Sequence, residues 1–279
     1  MGESFIASII VPCYNGENVI EPCIDSIVRQ IDDSYQLILI DNGSVDKTGE
    51  ILKKYINGNN IIGIEYKENQ GVSYARNDGL RVAEGKYIFF YDCDDFIPKG
   101  SCKRMINEAE LTGADVVIAN GAFRDDDHIA GITQIENCDG DFERIMCNGV
   151  IWNKIYKKTF LDENGIKFKI SNNHGEDTLF LGKIAEAKGK VAFITDVVYH
   201  HIMHYSVECS NLSRQFTLKN LLEYLEVGIE IYTINFDYPR HNVYKCYIDY
   251  FRYMWVFWKQ IPPIDLKTGY EEQIGRAHV

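Results

Sequence analysis

Through the first part of the chain, short unbroken apolar runs alternate with stretches whose apolar positions recur every three or four residues. Ala7-Ser8-Ile9-Ile10-Val11 is such a run, closed by Pro12 and the turn pair Asn15-Gly16. It suits a strand buried on both faces, since a half-exposed strand would alternate apolar and polar positions. Val19, Ile20, Cys23, Ile24, Ile27, Val28 and Ile31 follow at helical spacing, with Glu17, Glu21, Asp25 and Arg29 on the other face. The alternation then repeats: strand Gln36 to Ile40, turn Asp41 to Ser44, a helix around Thr48 to Ile56 stopped by Asn57-Gly58, and strand Ile61 to Tyr66. A helix from about Gly71 to Ala83 follows, then strand Tyr87 to Tyr91, a helix from about Lys99 to Leu111 and strand Asp115 to Ala119. Strands alternating with helices predict right-handed crossovers and an α/β fold with a mainly parallel central sheet flanked by helices. Ligands of such sheets sit beyond the carboxyl ends of the strands.

After Ala119 the pattern loosens. Arg124 to His128 reads as a polar loop, Trp152 to Leu161 as a mixed segment, and Glu176 to Lys188 as an amphipathic helix carrying Leu179, Phe180, Ile184 and Ala187. From Phe216 to about Ile261 the chain reads as two aromatic-rich helices. No internal repeat or Pro/Ser linker interrupts it, so the expected organisation is one domain over residues 1–212 and a helical C-terminal appendage over 213–279.

Composition narrows the function classes. With 279 residues and 46% hydrophobic content the chain can bury a large core. Its formal net charge of −12 argues against nucleic acid as a partner, because such partners demand clustered Lys and Arg. The eight cysteines, at 13, 23, 93, 102, 138, 147, 209 and 246, show no Cys-x-x-Cys pair and no zinc spacing. They read as small buried hydrophobes in a reducing compartment. With no secretory leader and no apolar stretch long enough to span a bilayer, the expected location is cytoplasmic.

The chemistry concentrates where apolar runs end. Tyr87-Ile88-Phe89-Phe90 is followed at once by Asp92, Asp94 and Asp95, three carboxylates that repel one another unless something positive lies between them. Hard oxygen ligands with open positions at a strand's carboxyl end suit Mg²⁺ or Mn²⁺ bound through substrate phosphates. The alternative is a solvated acidic turn. Pro12 to Asn15 and Asp41 to Ser44 also follow strands, so three loops converge on one rim.

Four blocks then fall in order: VPCYNGENVIEPCIDSIVRQ, LILIDNGSVDKTGEIL, NQGVSYARNDGLRVAEGKYIFFYDCDD and GEDTLF. As a set they resemble the signature blocks of glycosyltransferase family 2, the inverting sugar-nucleotide transferases of GT-A fold, over about residues 5 to 200. The resemblance implies a nucleotide-sugar-binding half over 1–120 and an acceptor half over 121–212. It implies that Pro12, Tyr14, Asn15 and Glu17 line the nucleotide pocket, Tyr14 near the base, and that Asp41, Asn42 and Ser44 contact the nucleoside. The family's second loop is usually Asp-Asp-Gly-Ser. Here Asn42 stands for the second acid, which weakens the case for uridine although an amide both donates and accepts.

By the same resemblance Asp92 and Asp94 take ribose and metal contacts, with Asp95 a further metal ligand candidate and Mn²⁺ or Mg²⁺ the implied cofactor. Arg76 either braces the carboxylates or faces the diphosphate. Asp177 takes the part of the base that deprotonates the acceptor hydroxyl, although a helix N-terminus lowers a carboxylate's pKa and a base works best tuned toward neutrality. Trp152, Lys154 and Glu176 are expected on the acceptor side, Trp152 either stacking on a sugar or filling the core. One of His200, His201 and His204 is a candidate extra metal ligand.

The implied partners are a nucleotide-diphosphate sugar donor, with a lean toward UDP, and a saccharide or lipid-linked acceptor of surface polysaccharide or glycoconjugate synthesis. The processive members' Gln-x-x-Arg-Trp block is not found. The aromatic stretch Tyr244 to Trp258, with Lys245, Arg252 and Lys259, leaves two uses open. One is peripheral contact with an anionic membrane; the other is packing onto the domain or a homodimer partner. A phosphoryl transferase lacks its Gly-rich phosphate loop here, and a catalytically silent sugar-nucleotide-binding or assembly subunit is the alternative from another class.

Overall fold

The computed structural model describes residues 5–125, 128–170, 175–203, 223 and 226–231. Four parallel strands come first, β1 (Ala7–Cys13), β2 (Tyr35–Asp41), β3 (Ile61–Glu65) and β4 (Tyr87–Phe90), in the spatial order β3-β2-β1-β4. Helices α1 (Ile20–Val28), α2 (Thr48–Lys53) and α3 (Val72–Val82) make the crossovers between them. Every residue of β1, β2 and β4 is buried, which is why these strands read as continuous apolar runs. Pro12 lies inside β1 rather than ending it. Its missing N–H costs no ladder bond on the β4 side, because β1 pairs with β4 only as far as Ile10↔Phe90.

Beyond β4 the sheet becomes mixed. Helix α4 (Ser101–Thr112) leads into β5 (Val116–Asp125), which pairs antiparallel with β6 (His128–Ile132) and β7 (Lys154–Lys157). Strand β7 also pairs antiparallel with β4, and β8 (Val191–Ile202) runs parallel to β5 with two register shifts. The stretch expected as a polar loop, Arg124 to His128, instead spans the end of β5 and the start of β6. Helices α5 (Asp141–Met146), α6 (Lys158–Glu163) and α7 (Glu176–Glu186) belong to this second half.

Apolar side chains of alternate strand positions feed two cores. Ile9, Val11, Phe89 and Tyr91 pack with α1 and α4, while Ile10, Ile88 and Phe90 pack with α3, α5 and α7. Val227 and Ile231, beyond the expected boundary at 212, are helical and buried in the second core. Lys169 pairs with Glu230 at 2.6 Å. The aromatic stretch Tyr244 to Trp258, and with it the membrane and dimer readings, lies outside the described residues, as do His204, Cys209 and Cys246. Among the described residues, no helix is long and apolar enough to cross a membrane. Cys13, Cys23 and Cys102 are buried free thiols, as small hydrophobes should be.

Trp152 is 4% exposed and stacks on Tyr199 with ring centroids 4.6 Å apart. Of the two uses open to it, core filling is the one its burial supports. It fits because Gly121 on β5 carries no side chain, and a Cβ there would lie 2.0 Å from Trp152 Cζ3. Gly121→Ala is therefore expected to destabilise the fold by about 1–3 kcal/mol, since the buried ring is already stacked on Tyr199 and has little room to shift. Thermal unfolding followed by circular dichroism checks this; an unchanged midpoint would contradict the packing described.

Candidate active site

Because β1, β2 and β4 run parallel, the loops that follow them open at one rim. The first two loops are stitched together. Asn15, in the left-handed region that Asn tolerates (φ 49°), donates its N–H to Ser44 Oγ at 3.0 Å and accepts Val45 N–H on Oδ1 at 3.0 Å. Gly16 N–H reaches Thr48 Oγ1, Glu17 N–H reaches Asp46 Oδ2, and Lys47 N–H returns to Glu17 Oε2. Buried Asp41 accepts Ser44 N–H at 2.9 Å. Of the residues expected to meet the nucleoside, Asn15, Glu17, Asp41 and Ser44 thus hold the loops in shape. Tyr14 is 40% exposed and presents its ring at the rim.

Asn42 is buried and does a different job from a base-reading residue. Its Nδ2 donates to Asn69 Oδ1 at 3.2 Å while its Oδ1 accepts Gln70 N–H at 3.0 Å, latching the loop before α3. An aspartate could accept but not donate, so the departure from Asp-Asp-Gly-Ser has a local structural cause.

The three carboxylates after β4 separate into distinct environments. Asp92 and Asp94 are half-buried at the rim. Asp95 is turned inward, its side chain 0% exposed. It accepts Tyr199 O–H at 2.7 Å and Ile202 N–H at 2.7 Å, and lies 3.1 Å from His201 Nδ1. With its oxygens met by three protein groups, Asp95 braces the loop from within. His201 is drawn to Asp95, whereas His200 packs beside Phe96 and Arg124. The Asp94 carboxyl is pushed up to about 7, first by burial and then by the charges of Asp95 and Asp92. Among the described residues no group of three or more His, Cys, Asp and Glu side chains is arranged to hold a metal by itself. Two half-buried carboxylates with excess negative charge do fit a hard cation whose remaining ligands are phosphate oxygens and water.

Opposite this loop, α7 starts behind Gly175 and carries Glu176 and Asp177 in its first turn. Arg76 of α3 joins the two sides. Its Nη1 donates to Asp177 Oδ1 at 2.7 Å and to Glu176 Oε1 at 3.2 Å, and its Nη2 donates to Asp92 Oδ1 at 3.0 Å. The guanidinium lies over Phe168, 5.3 Å from the ring centroid. Asn77 fixes Phe168 by accepting its N–H and donating to its carbonyl. Of the two roles open to Arg76, bracing is the one seen. Burial works against the guanidinium's charge, but Asp177, Asp92 and Glu176 more than offset it and keep Arg76 protonated.

One cation does not neutralise three acids. Burial and the charge of Asp177 push the Glu176 carboxyl up to about 8. Burial pushes Asp177 up to about 6, against the pull of Arg76. The tension between helix terminus and base strength thus resolves in favour of a group tuned toward neutrality. Lys154 is fully buried, donating to Val150 O at 2.6 Å and Asn153 Oδ1 at 2.9 Å. Burial lowers it to about 8, and its charge also bears on Asp177.

Sequence reasoning missed Phe168, Asn69, Gln70 and the contacts of Tyr199 and His201 to the acidic loop. Those partners lie tens of residues from the motifs they serve, and no local spacing announces them.

A family model described as Glycosyl transferase family 2 matches residues 8–185. The chain is 27% identical over 252 residues to the putative glycosyltransferase EpsH of Bacillus subtilis, covering 86% of this chain and 71% of that protein. It is 26% identical over 248 residues to the poly(ribitol-phosphate) beta-N-acetylglucosaminyltransferase TarP of Staphylococcus aureus, covering 85% and 73%. Against the uncharacterized glycosyltransferase EpsJ of B. subtilis it is 41% identical over 112 residues, 40% of this chain and 33% of that protein. Among solved structures, S. aureus TarS 1-349 in complex with UDP-GlcNAc superposes with a TM-score of 0.73 at 23% identity, covering 88% of this chain and 71% of that one. The mannosyltransferase PcManGT from Pyrobaculum calidifontis, in complex with GDP-Man and Mn²⁺, gives 0.64 at 16% identity, covering 91% and 70%. These structural likenesses fix the fold as GT-A. The family match extends over more than half of the chain and spans both the acidic rim and the first turns of α7, so the chain belongs to glycosyl transferase family 2 and is a glycosyltransferase.

Proposed function

We propose that this glycosyltransferase is metal-dependent and inverting, moving a sugar from a nucleotide-diphosphate sugar, a UDP-sugar, to a saccharide or lipid-linked acceptor in surface polysaccharide or glycoconjugate synthesis. One observation carries the reading. A single guanidinium, Arg76, touches both a donor-rim acid, Asp92, and an acid of the opposite wall, Asp177. The two partners of one displacement reaction are thereby held within one side chain's span.

Each residue's task follows from its surroundings. Tyr14 offers its exposed ring to the nucleobase. Asp92 accepts from the ribose, and with Asp94 is the group that would hold Mn²⁺ or Mg²⁺. That ion, when bound, supplies positive charge to the departing diphosphate. The uridine preference rests on the UDP-GlcNAc bound by TarS, because Asn42 is committed to its loop latch. At neutral pH Asp177, near 6, is mostly ionised and accepts the acceptor's proton. Glu176, near 8, keeps its proton and can donate a hydrogen bond to the same hydroxyl. Two acids whose environments push them apart divide the roles of acid and base. The acceptor oxygen then attacks the anomeric carbon opposite the leaving group, which inverts its configuration without a protein-bound intermediate.

A thermal-shift panel of nucleotide sugars with and without Mn²⁺ tests the donor reading: a shift is expected for one donor and is expected to vanish with EDTA or in Asp94→Asn. Asp177→Asn should retain that shift while transfer falls by about 10²–10⁴-fold. Near wild-type transfer in that variant would falsify the base assignment. Tight donor binding with no turnover on any acceptor would instead favour the silent binding subunit.

The acid pair also predicts a pH effect on the metal-free protein. Both carboxyls are raised in the fold, so the native state holds protons that the unfolded chain would release. Their stabilisation is complete below about pH 4 and is lost as pH climbs through about 6 and about 8. Glu176→Gln removes the upper part of that loss. Its melting temperature relative to wild type should rise between about pH 4.5 and about pH 8, and a constant difference across that window would contradict the assignment.

A further inference from the structure

The acidic loop is gripped from a second side, by β8, which lies beyond the residues matched by the family model. The β1–β4 ladder ends when Tyr91 N–H reaches Ile10 O at 3.1 Å. The next amide, Asp92 N–H, is taken by the hydroxyl of Tyr199 at 3.0 Å. The same hydroxyl passes its own proton to Asp95 Oδ2 at 2.7 Å. A phenol has one proton to give, so its direction is set: it accepts from the Asp92 amide and donates to the Asp95 carboxylate. Ile202 N–H and His201 hold the same carboxylate from the same strand. Tyr199 is 0% exposed, with Trp152 stacked on its ring and Tyr91 5.3 Å away, so it cannot touch a donor itself.

We propose that Tyr199 is a positioning residue for the donor site: its hydroxyl ties the backbone of Asp92 to the anchored carboxylate of Asp95 and so sets where Asp92 and Asp94 face the donor. Removing that oxygen leaves the part-buried Asp92 N–H and the buried Asp95 carboxylate short of a partner at once, and the loop must shift to recover them. Strand β8 then governs donor affinity from behind the site. The inference rests on the reading of the acidic loop as the donor site.

Tyr91 supplies the control. It is equally buried in the same core, but its hydroxyl meets Cys102 Sγ at 3.5 Å and has no contact with the loop. Tyr199→Phe and Tyr91→Phe keep both rings and each lose one oxygen. Titration calorimetry with Mn²⁺ and the donor found by the nucleotide-sugar panel, together with steady-state kinetics, separates them. Tyr199→Phe should raise the donor Kd and KM by about tenfold, with kcat at saturating donor and the acceptor KM within about twofold of wild type. Tyr91→Phe should lower the melting temperature yet leave the donor Kd within about twofold. Unchanged donor affinity in Tyr199→Phe overturns the inference alone, as does an equal loss in Tyr91→Phe. Wild-type protein that takes up no nucleotide sugar overturns the donor-site reading and this inference with it.

Discussion

Three carboxylates cannot share a partly dry pocket without a cation, and the site depends on Arg76 supplying one. A lysine could not replace it, because a point charge on a flexible stem cannot meet acids on two walls at once, whereas a guanidinium fork is planar and rigid. Its placement is built into α3. Gly79, one turn further along, has no side chain where a Cβ would lie 2.5 Å from Ile10 Cγ2, so the helix settles close against β1. From there Arg76 reaches the ends of β4 and α7 together. The fork is supported from beneath by Phe168, itself clamped by the Asn77 amide.

The rest of the rim is spent on rigidity. Asn15, Glu17, Asn42 and Ser44 use side-chain atoms to join the first two loops to each other or to the loop before α3, and Asp41 folds the second loop onto itself. Presented at the rim are the Tyr14 ring and the half-buried acids Asp92 and Asp94. A pocket of this kind has its geometry set before a ligand arrives, which lowers the ordering cost of binding. Under the proposed reading, sugar and acceptor selectivity then fall to the less regular half built from β5 to β8.

That division explains what the sequence disclosed. Strands β1, β2 and β4 were legible because each is buried on both faces and so is written as an apolar run. Strand β8 was not, because most of its positions are half-exposed, its register shifts twice against β5, and its polar residues and histidines break any alternation. The site divides the same way. Asp92, Asp94 and Asp177 stand out as acids at element ends, which local pattern can reveal. Whether Asp95 faces an ion or a tyrosine depends on Tyr199, 104 positions away. Trp152 showed the same limit, since an aromatic that fills a core and one that receives a sugar have the same local sequence.

The pairing of Glu176 with Asp177 shows how little geometry is needed to assign chemistry. Both sit in one helical turn, both are raised by burial, and both share Nη1 of the same arginine. The shares are unequal: 2.7 Å to Asp177 against 3.2 Å to Glu176. The shorter contact stabilises the ionised form of Asp177 more, and the buried ammonium of Lys154 adds to it. Once Asp177 holds its charge, that charge is among the forces keeping the proton on Glu176. The split therefore reinforces itself, and under the proposed reading it leaves Asp177 free to take a proton while Glu176 keeps its own.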